Sequence, residues 1–197
     1  MRDEAEKHLL EDRYVKPLIK KWGSCTIKPT PKNLYFEDLV DVICSQQLSG
    51  KAAETIFGRV KICLVKITQV NILRKTDQEF RDCGLSWAKV KYIKDLAEHV
   101  KNKKLKITKL DNLSDEEVIK ELVAVKGIGL WTAEMFLMFS LARPDIFPID
   151  DLGIKKGFEK VTGKKWDKLK SAKFAEKNWK PHRTVASWYL WRSLENR

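Results

Sequence analysis

The chain has 197 residues, 43% of them hydrophobic, enough for one compact core or two small lobes, and this argues against disorder. Its 39 Lys and Arg against 27 Asp and Glu leave a formal charge of +12, which points to a polyanionic partner or simply to lysine-rich solvated faces. Scattered cysteines (Cys25, Cys44, Cys63, Cys83) and three scattered histidines exclude a disulfide framework and a zinc site, and no uncharged apolar run reaches the ~18 residues of a membrane span.

Free thiols in a reducing, intracellular compartment are therefore expected, and the charged start "MRDEAEKHLLEDRY" lacks the apolar core of a signal peptide. Residues 2 to 22 have helical periodicity, with Pro17 kinking or dividing the segment and Gly23 ending it. After the loop "SCTIKPTPKN", Phe36, Leu39, Val40, Ile43 and Cys44 share one helical face, and another helix follows "SQQLSG". Thr76 with Glu79 forms a capping box for a short helix that Gly84 stops, and Ser86 caps the next, which runs to about Lys103. "KLKITKL" is a weak strand candidate in a chain that otherwise reads as all-α. Trp87, Trp166 and Trp188 are expected in the core, since aromatic residues on apolar helices usually are.

In "SDEEVIKELVAV", Ser114 and Glu117 make a second capping box, and Val118, Ile119, Leu122 and Val123 form the buried stripe of a helix ending near Val125. "KGIG" cannot continue it, and the next helix, "LWTAEMFLMFSLA", starts at once and is apolar nearly all round, hence buried. The amides of Gly127, Gly129 and Leu130 would then point outward at a positive helix end, which is an anion site. An ordinary helical hairpin with a glycine cap is the alternative. Pro148 stiffens the approach to Asp151, which can cap a helix beginning "LGIKKG"; capping alone would also account for that aspartate.

"VKGIGLWTAEMFLMFSLARPDIFPIDDLGIKKG" resembles the helix-hairpin-helix DNA glycosylase superfamily, and within it the 3-methyladenine DNA glycosylase II branch. "ICSQQLSGKAA", "CGLSWAKVKYIKDLA" and "WKPHRTVASWYLWR" extend the match in the family's order, from about Tyr35 to Arg192. The resemblance implies one all-α domain over residues 1–197, a two-lobed helical bundle with a DNA-binding cleft between the lobes and a hairpin motif at about 114–142. The separate N-terminal sheet domain of some members is not expected.

Carried over residue by residue, the resemblance makes Asp151 the catalytic carboxylate, with Asp150 in support. Gly127, Gly129 and Leu130 would bind a phosphate beside the lesion, with the Thr132 hydroxyl, and Arg183 would contact a phosphate or brace the loop of Asp151. Trp131, Trp191, Phe36 and Tyr35 would wall the base pocket, and Gln47 or Leu48 would fill the space of the flipped nucleotide. The carbonyls of Val123, Val125 and Ile128 would hold a monovalent cation.

Two departures sharpen the expected chemistry. Relatives that also cut the backbone carry a lysine where this chain has Trp131, so a glycosylase without lyase activity is implied. Nothing after Cys83 is a cysteine, so no iron–sulfur cluster and no other cofactor is expected. The implied partner is double-stranded DNA with damaged bases, met by a monomer away from any membrane. The implied reaction is release of alkylated purines such as 3-methyladenine in base excision repair. Oxidised, deaminated or mismatched bases are the alternative substrates, and a non-catalytic DNA-binding module is the alternative class.

Overall fold

A computed structural model describes residues 2–48 and 50–195. Twelve α-helices account for most of it: α1 (Arg2–Leu9), α2 (Lys16–Trp22), α3 (Tyr35–Ser45), α4 (Gly50–Leu64), α5 (Gln69–Arg74), α6 (Asp77–Asp82), α7 (Trp87–Lys101), α8 (Asp115–Val123), α9 (Leu130–Met135), α10 (Leu152–Thr162), α11 (Lys168–Trp179) and α12 (Arg183–Arg192). Among the described residues there is no strand, and no helix is long and apolar enough to cross a membrane. The fold is all-α, as its periodicity requires.

The chain forms two compact units, residues 30–136 and residues 1–29 with 137–197. In the unit of residues 30–136, α7 lies against α3, α5 and α6, and α3 against α4 and α9. Leu39, Ile43, Ile72, Phe80, Leu85, Ile93 and Leu96 are fully buried there. The caps that start these helices are the ones the sequence calls for: Thr76 with Glu79, Ser86 on the Lys89 amide, and Ser114 with Glu117. Cys44 is buried in this core, which pushes its thiol up to about 12 and leaves it inert at neutral pH.

Four details differ from the sequence reading. "KLKITKL" is not a strand but leads into a 3-10 helix, Ile107–Asn112, whose three-residue turn buries Ile107 and Leu110 together. α8 stops at Val123, which is 43% exposed, while Val125 in the following turn is buried in its stead. Trp87 is not core: it opens α7 half-exposed, with the Arg81 guanidinium 5.1 Å from its ring. The apolar helix after the hairpin is α9 for six residues and then a π-helical segment, Phe136–Ser140.

In the other unit, Pro17 divides rather than kinks the N-terminal segment. It occupies the first turn of α2, and the Asp12 carboxylate takes the Tyr14 and Val15 amides at 2.9 and 2.8 Å in the break before it. The core gathers Phe158, Phe174 and Trp179 edge to face, with centroids 5.4–6.1 Å apart, and each such pair adds about 0.5–1.5 kcal/mol beyond area burial.

α10 and α12 meet backbone to backbone because Gly157 has no Cβ: one built there would lie 2.5 Å from the Leu190 carbonyl oxygen. Gly157→Ala must therefore push the two helices apart. The expected cost is about 1–3 kcal/mol, a fall in melting temperature of about 3–10 °C by calorimetry. An unchanged melting temperature would contradict the close crossing.

Candidate DNA-facing hairpin and carboxylate site

The residues singled out in the sequence fall in both units. In residues 30–136, the capping box at Ser114 starts α8, and the chain turns through Lys126–Gly129 into α9. Two contacts with α7 shape that turn. The Asp95 carboxylate accepts the Lys126 amide at 2.8 Å, and the ring of Tyr92 covers the α-carbon of Gly127. Gly127 is doubly required: its φ is +87°, and a Cβ would sit 2.1 Å from Tyr92 Cγ.

Gly129 is different. Its φ is −94°, which any residue adopts, and a Cβ there would meet nothing within 4 Å. Among the described residues nothing demands glycine at this position. It is the N-cap of α9, and no side chain caps the helix. The first-turn amides are thus presented at a positive helix end with no Cβ to obstruct an approaching anion.

A residue that sequence reasoning missed ties the neighbouring loop to this turn. Gln46 donates to the Gly127 carbonyl at 2.9 Å and to the Thr132 hydroxyl at 3.1 Å. Its own carbonyl, with that of Cys44, accepts from Lys89 Nζ at 2.6 and 2.8 Å. Burial holds the Lys89 ammonium below its ordinary pKa. With Gln46 anchored on both sides, Gln47 is left at φ +58° and Leu48 38% exposed, so the two candidate wedge residues project from a fixed base. No local signal could find Gln46, because its partners lie 81 and 86 residues away.

Three expected roles in this unit change. Thr132 is 2% exposed and its hydroxyl accepts from Gln46, so the side chain is turned to the neighbouring loop rather than to solvent. Tyr35 is buried against Phe136, centroids 5.4 Å apart, as a core residue. Phe36 turns the other way, into a cavity of about 390 Å³ beside the Lys103–Lys109 segment, whose lining does not include Trp131. Trp131, in the first turn of α9, is half-buried, and Leu130 beside it is 45% exposed. Val123 ends α8, so its carbonyl is among those a helix leaves without an internal partner. The Val125 carbonyl accepts the Ile128 amide at 3.1 Å and keeps a second lone pair.

In the other unit, Asp151 is the N-cap of α10: its Oδ1 accepts the Ile154 amide at 2.7 Å. The same oxygen accepts the Trp191 indole N–H at 2.8 Å. Trp191 reaches it only because residue 153 is glycine, where a Cβ would lie 2.7 Å from the indole and 2.9 Å from Oδ1. The indole also lies against Phe139, centroids 5.7 Å apart. Trp191 is thus bound to the carboxylate by its polar edge as well as offering a ring face.

Asp150 is ion-paired to Lys168 at 2.5 Å. Arg183 closes its fork on both oxygens of Asp145, at 2.7 and 2.8 Å, and on the Asp145 carbonyl at 3.1 Å. These bonds hold the guanidinium on the turn that leads to "FPIDD".

The two hairpin glycines separate fold from binding. Gly129→Ala should leave the melting temperature within about 2 °C, yet weaken binding to duplex DNA by about tenfold, the loss of roughly one charge-assisted hydrogen bond. Gly127→Ala should lower the melting temperature outright. Calorimetry with fluorescence anisotropy checks both, and a Gly129→Ala protein that binds DNA like the parent would mean that no phosphate approaches there.

Residues 40–181 match the HhH-GPD superfamily base excision DNA repair protein family. The alkylbase DNA glycosidase-like protein mag2 of Schizosaccharomyces pombe is 34% identical over 196 residues, covering 95% of this chain and 91% of that protein. DNA-3-methyladenine glycosylase 1 of the same yeast is 35% identical, covering 96% and 86%. The solved structure of the S. pombe 3-methyladenine DNA glycosylase in complex with abasic DNA superposes with a TM-score of 0.83 at 35% identity over 96% of both chains. A DNA-3-methyladenine glycosidase from Bacillus halodurans gives 0.80 at 36% identity, over 96% of this chain and 88% of that one. This chain belongs to the HhH-GPD superfamily of base excision DNA repair proteins.

Proposed function

We infer that the protein is a monofunctional DNA glycosylase, acting as a monomer on damaged duplex DNA, that hydrolyses the N-glycosidic bond of alkylated purines such as 3-methyladenine. The observation that carries the reading is the Asp151 carboxylate, fixed by the Ile154 amide and the Trp191 indole at the end of "FPIDD". The relatives named for 3-methyladenine release, at about 35% identity over nearly the whole chain, support the substrate class.

The target base cannot be attacked inside a duplex, so its nucleotide is rotated out at a cost of about a few kcal/mol, less where pairing is damaged. Bare amides at Gly129 and Leu130 hold the backbone at one phosphate, and Gln47 or Leu48 fills the gap in the stack. A monovalent cation on the Val123, Val125 and Ile128 carbonyls would add positive charge near that phosphate. An alkylated purine is already cationic and a good leaving group, and the indole of Trp131 attracts it by about 0.5–2 kcal/mol. Acid catalysis is then a minor need. Asp151 acts on the sugar, where its charge stabilises the developing oxocarbenium ion and the carboxylate orients the attacking water.

Asp151→Asn keeps the shape and can still accept both bonds at Oδ1, so the fold should persist. Base release is expected to fall by about 100-fold or more with DNA binding retained. Chromatography of bases freed from alkylated DNA reads the outcome, and near-parental turnover would remove Asp151 from the chemistry.

The reaction type has its own test. A lyase forms an imine between an enzyme amine and C1′, and the place for that amine holds Trp131, whose indole nitrogen is not nucleophilic. Water is then the nucleophile and the product an intact strand with an abasic site. Borohydride should trap no protein–DNA adduct above background, and strand breaks should wait for alkali. Trapping as efficient as base release, abolished by replacing one lysine, would overturn the hydrolytic assignment.

A further inference from the structure

The net charge is divided unevenly. Residues 30–136 carry 18 Lys and Arg against 15 Asp and Glu, whereas residues 1–29 with 137–197 carry 21 against 12, so +9 of the +12 lies in the unit that holds Asp151. Most of this excess is in α10, α11 and the turn between them, where residues 152–180 hold ten lysines and three acidic side chains. A glycine hairpin holds phosphate with backbone dipoles; the formal charge is elsewhere.

On α11 the lysines share a side. Lys170, Lys173 and Lys177 follow the spacing of one helical face, and at 1.5 Å per residue their stems stand about 4.5 and 6 Å apart along the axis. That is the same order as the ~3.4 Å axial repeat of phosphates on one DNA strand. All three are exposed, and with Arg13 and Lys164 they line an open groove of about 590 Å³. Its floor is Tyr14 and Phe174, edge to face at 5.6 Å, with Arg13 4.6 Å from the first ring and Lys164 5.9 Å from the second.

The ion pairs around α11 lie at its ends, Lys168 with Asp150 and Lys180 with Glu176, and among the described residues none joins the five groove cations. Two acids share the lining, Glu11 and Asp12, but the Asp12 carboxylate is turned onto the Tyr14 and Val15 amides. Arg13 also donates to the Tyr14 hydroxyl of that floor, but five cations held over it with no carboxylate paired to them among the described residues keep their charge for an external polyanion. Lys168, in the first turn of α11, pairs with Asp150, the neighbour of Asp151, so the basic helix begins next to the carboxylate loop.

The geometry points to a second DNA contact: the α11 face, with Arg13 and Lys164, binds the phosphodiester backbone of the duplex flanking the lesion. This rests on the DNA-glycosylase reading above, and the test separates the two. Affinity is measured by fluorescence anisotropy over a salt series for lesion-centred duplexes of about one helical turn (~10 bp) and about three turns.

The parent protein is expected to bind the long duplex more tightly and with the steeper salt slope. The triple variant Lys170→Gln, Lys173→Gln, Lys177→Gln should match it on the short duplex, in binding and base release. On the long duplex its slope should be shallower by about 2.7, at about 0.9 per phosphate lost. Lys173→Gln alone, a single exposed change that preserves folding, should lose about 0.9.

Equal long-duplex affinity and slope for parent and variants would overturn the contact. So would a polyglutamate chain that binds the parent but not the triple variant while long-duplex binding stays equal, which would reassign the groove to an acidic polypeptide. A parent that binds neither duplex would bring down the glycosylase reading as well; a loss confined to the long duplex belongs to α11 alone.

Discussion

One carboxylate oxygen receives two hydrogen bonds, and the geometry of its unit is arranged around that. Asp151 Oδ1 takes the Ile154 amide from its own helix and the indole N–H of Trp191 from α12, forty residues away. Both bonds are charge-assisted, the stronger kind, and each is worth about 1.5–3 kcal/mol to the placement of the group. They depend on two glycines one turn apart on α10. Gly157 lets the α12 backbone come close, and Gly153 leaves room for the indole between the two helices. An ordinary helix-capping aspartate has its position set by local backbone alone; this one is also set by tertiary packing.

The hairpin applies the same economy of side chains to phosphate. Gly127 is bare because Tyr92 lies on it, while Gly129 is bare although the chain itself would accept a Cβ. Gln46 and Lys89 then tie the preceding loop to the hairpin and to α7, so that Gln47 and Leu48 are presented from a rigid support rather than from a loose strand end. Such preorganisation matters for a protein that must hold an unstacked nucleotide, because ordering the loop on binding would subtract from the energy available for flipping.

What the sequence revealed and what it hid divide by distance along the chain. The capping boxes at Thr76 and Ser114, the Ser86 cap and the Asp151 cap are side-chain-to-backbone bonds spanning three residues, so spacing alone exposes them. The hairpin was legible because two glycines bracket an apolar residue between two periodic segments.

Gln46, the indole bond of Trp191 and the Arg183–Asp145 fork were not legible as such, because each joins residues 38 or more positions apart and residue type does not specify a distant partner. Residue type also misled. Phe36 and Tyr35 are adjacent, and helical geometry sends one into the Lys103–Lys109 cavity and the other onto Phe136. Thr132 looked like a phosphate ligand by position, yet on α9 it faces inward to Gln46. "KLKITKL" alternates like a strand, but without a neighbouring strand to pair with, its apolar residues are buried by a 3-10 turn instead.

Trp191 positions Asp151, and single-turnover base release by Trp191→Phe tests that role most directly. Phenylalanine keeps the aromatic contact with Phe139 and removes only the N–H. Release of 3-methyladenine should slow by about ten- to a hundredfold, the worth of one charge-assisted hydrogen bond, with affinity for abasic duplex and melting temperature close to the parent's. Parental rates in that variant, or a loss confined to substrate binding, would contradict the claim and return Trp191 to the role of a pocket wall.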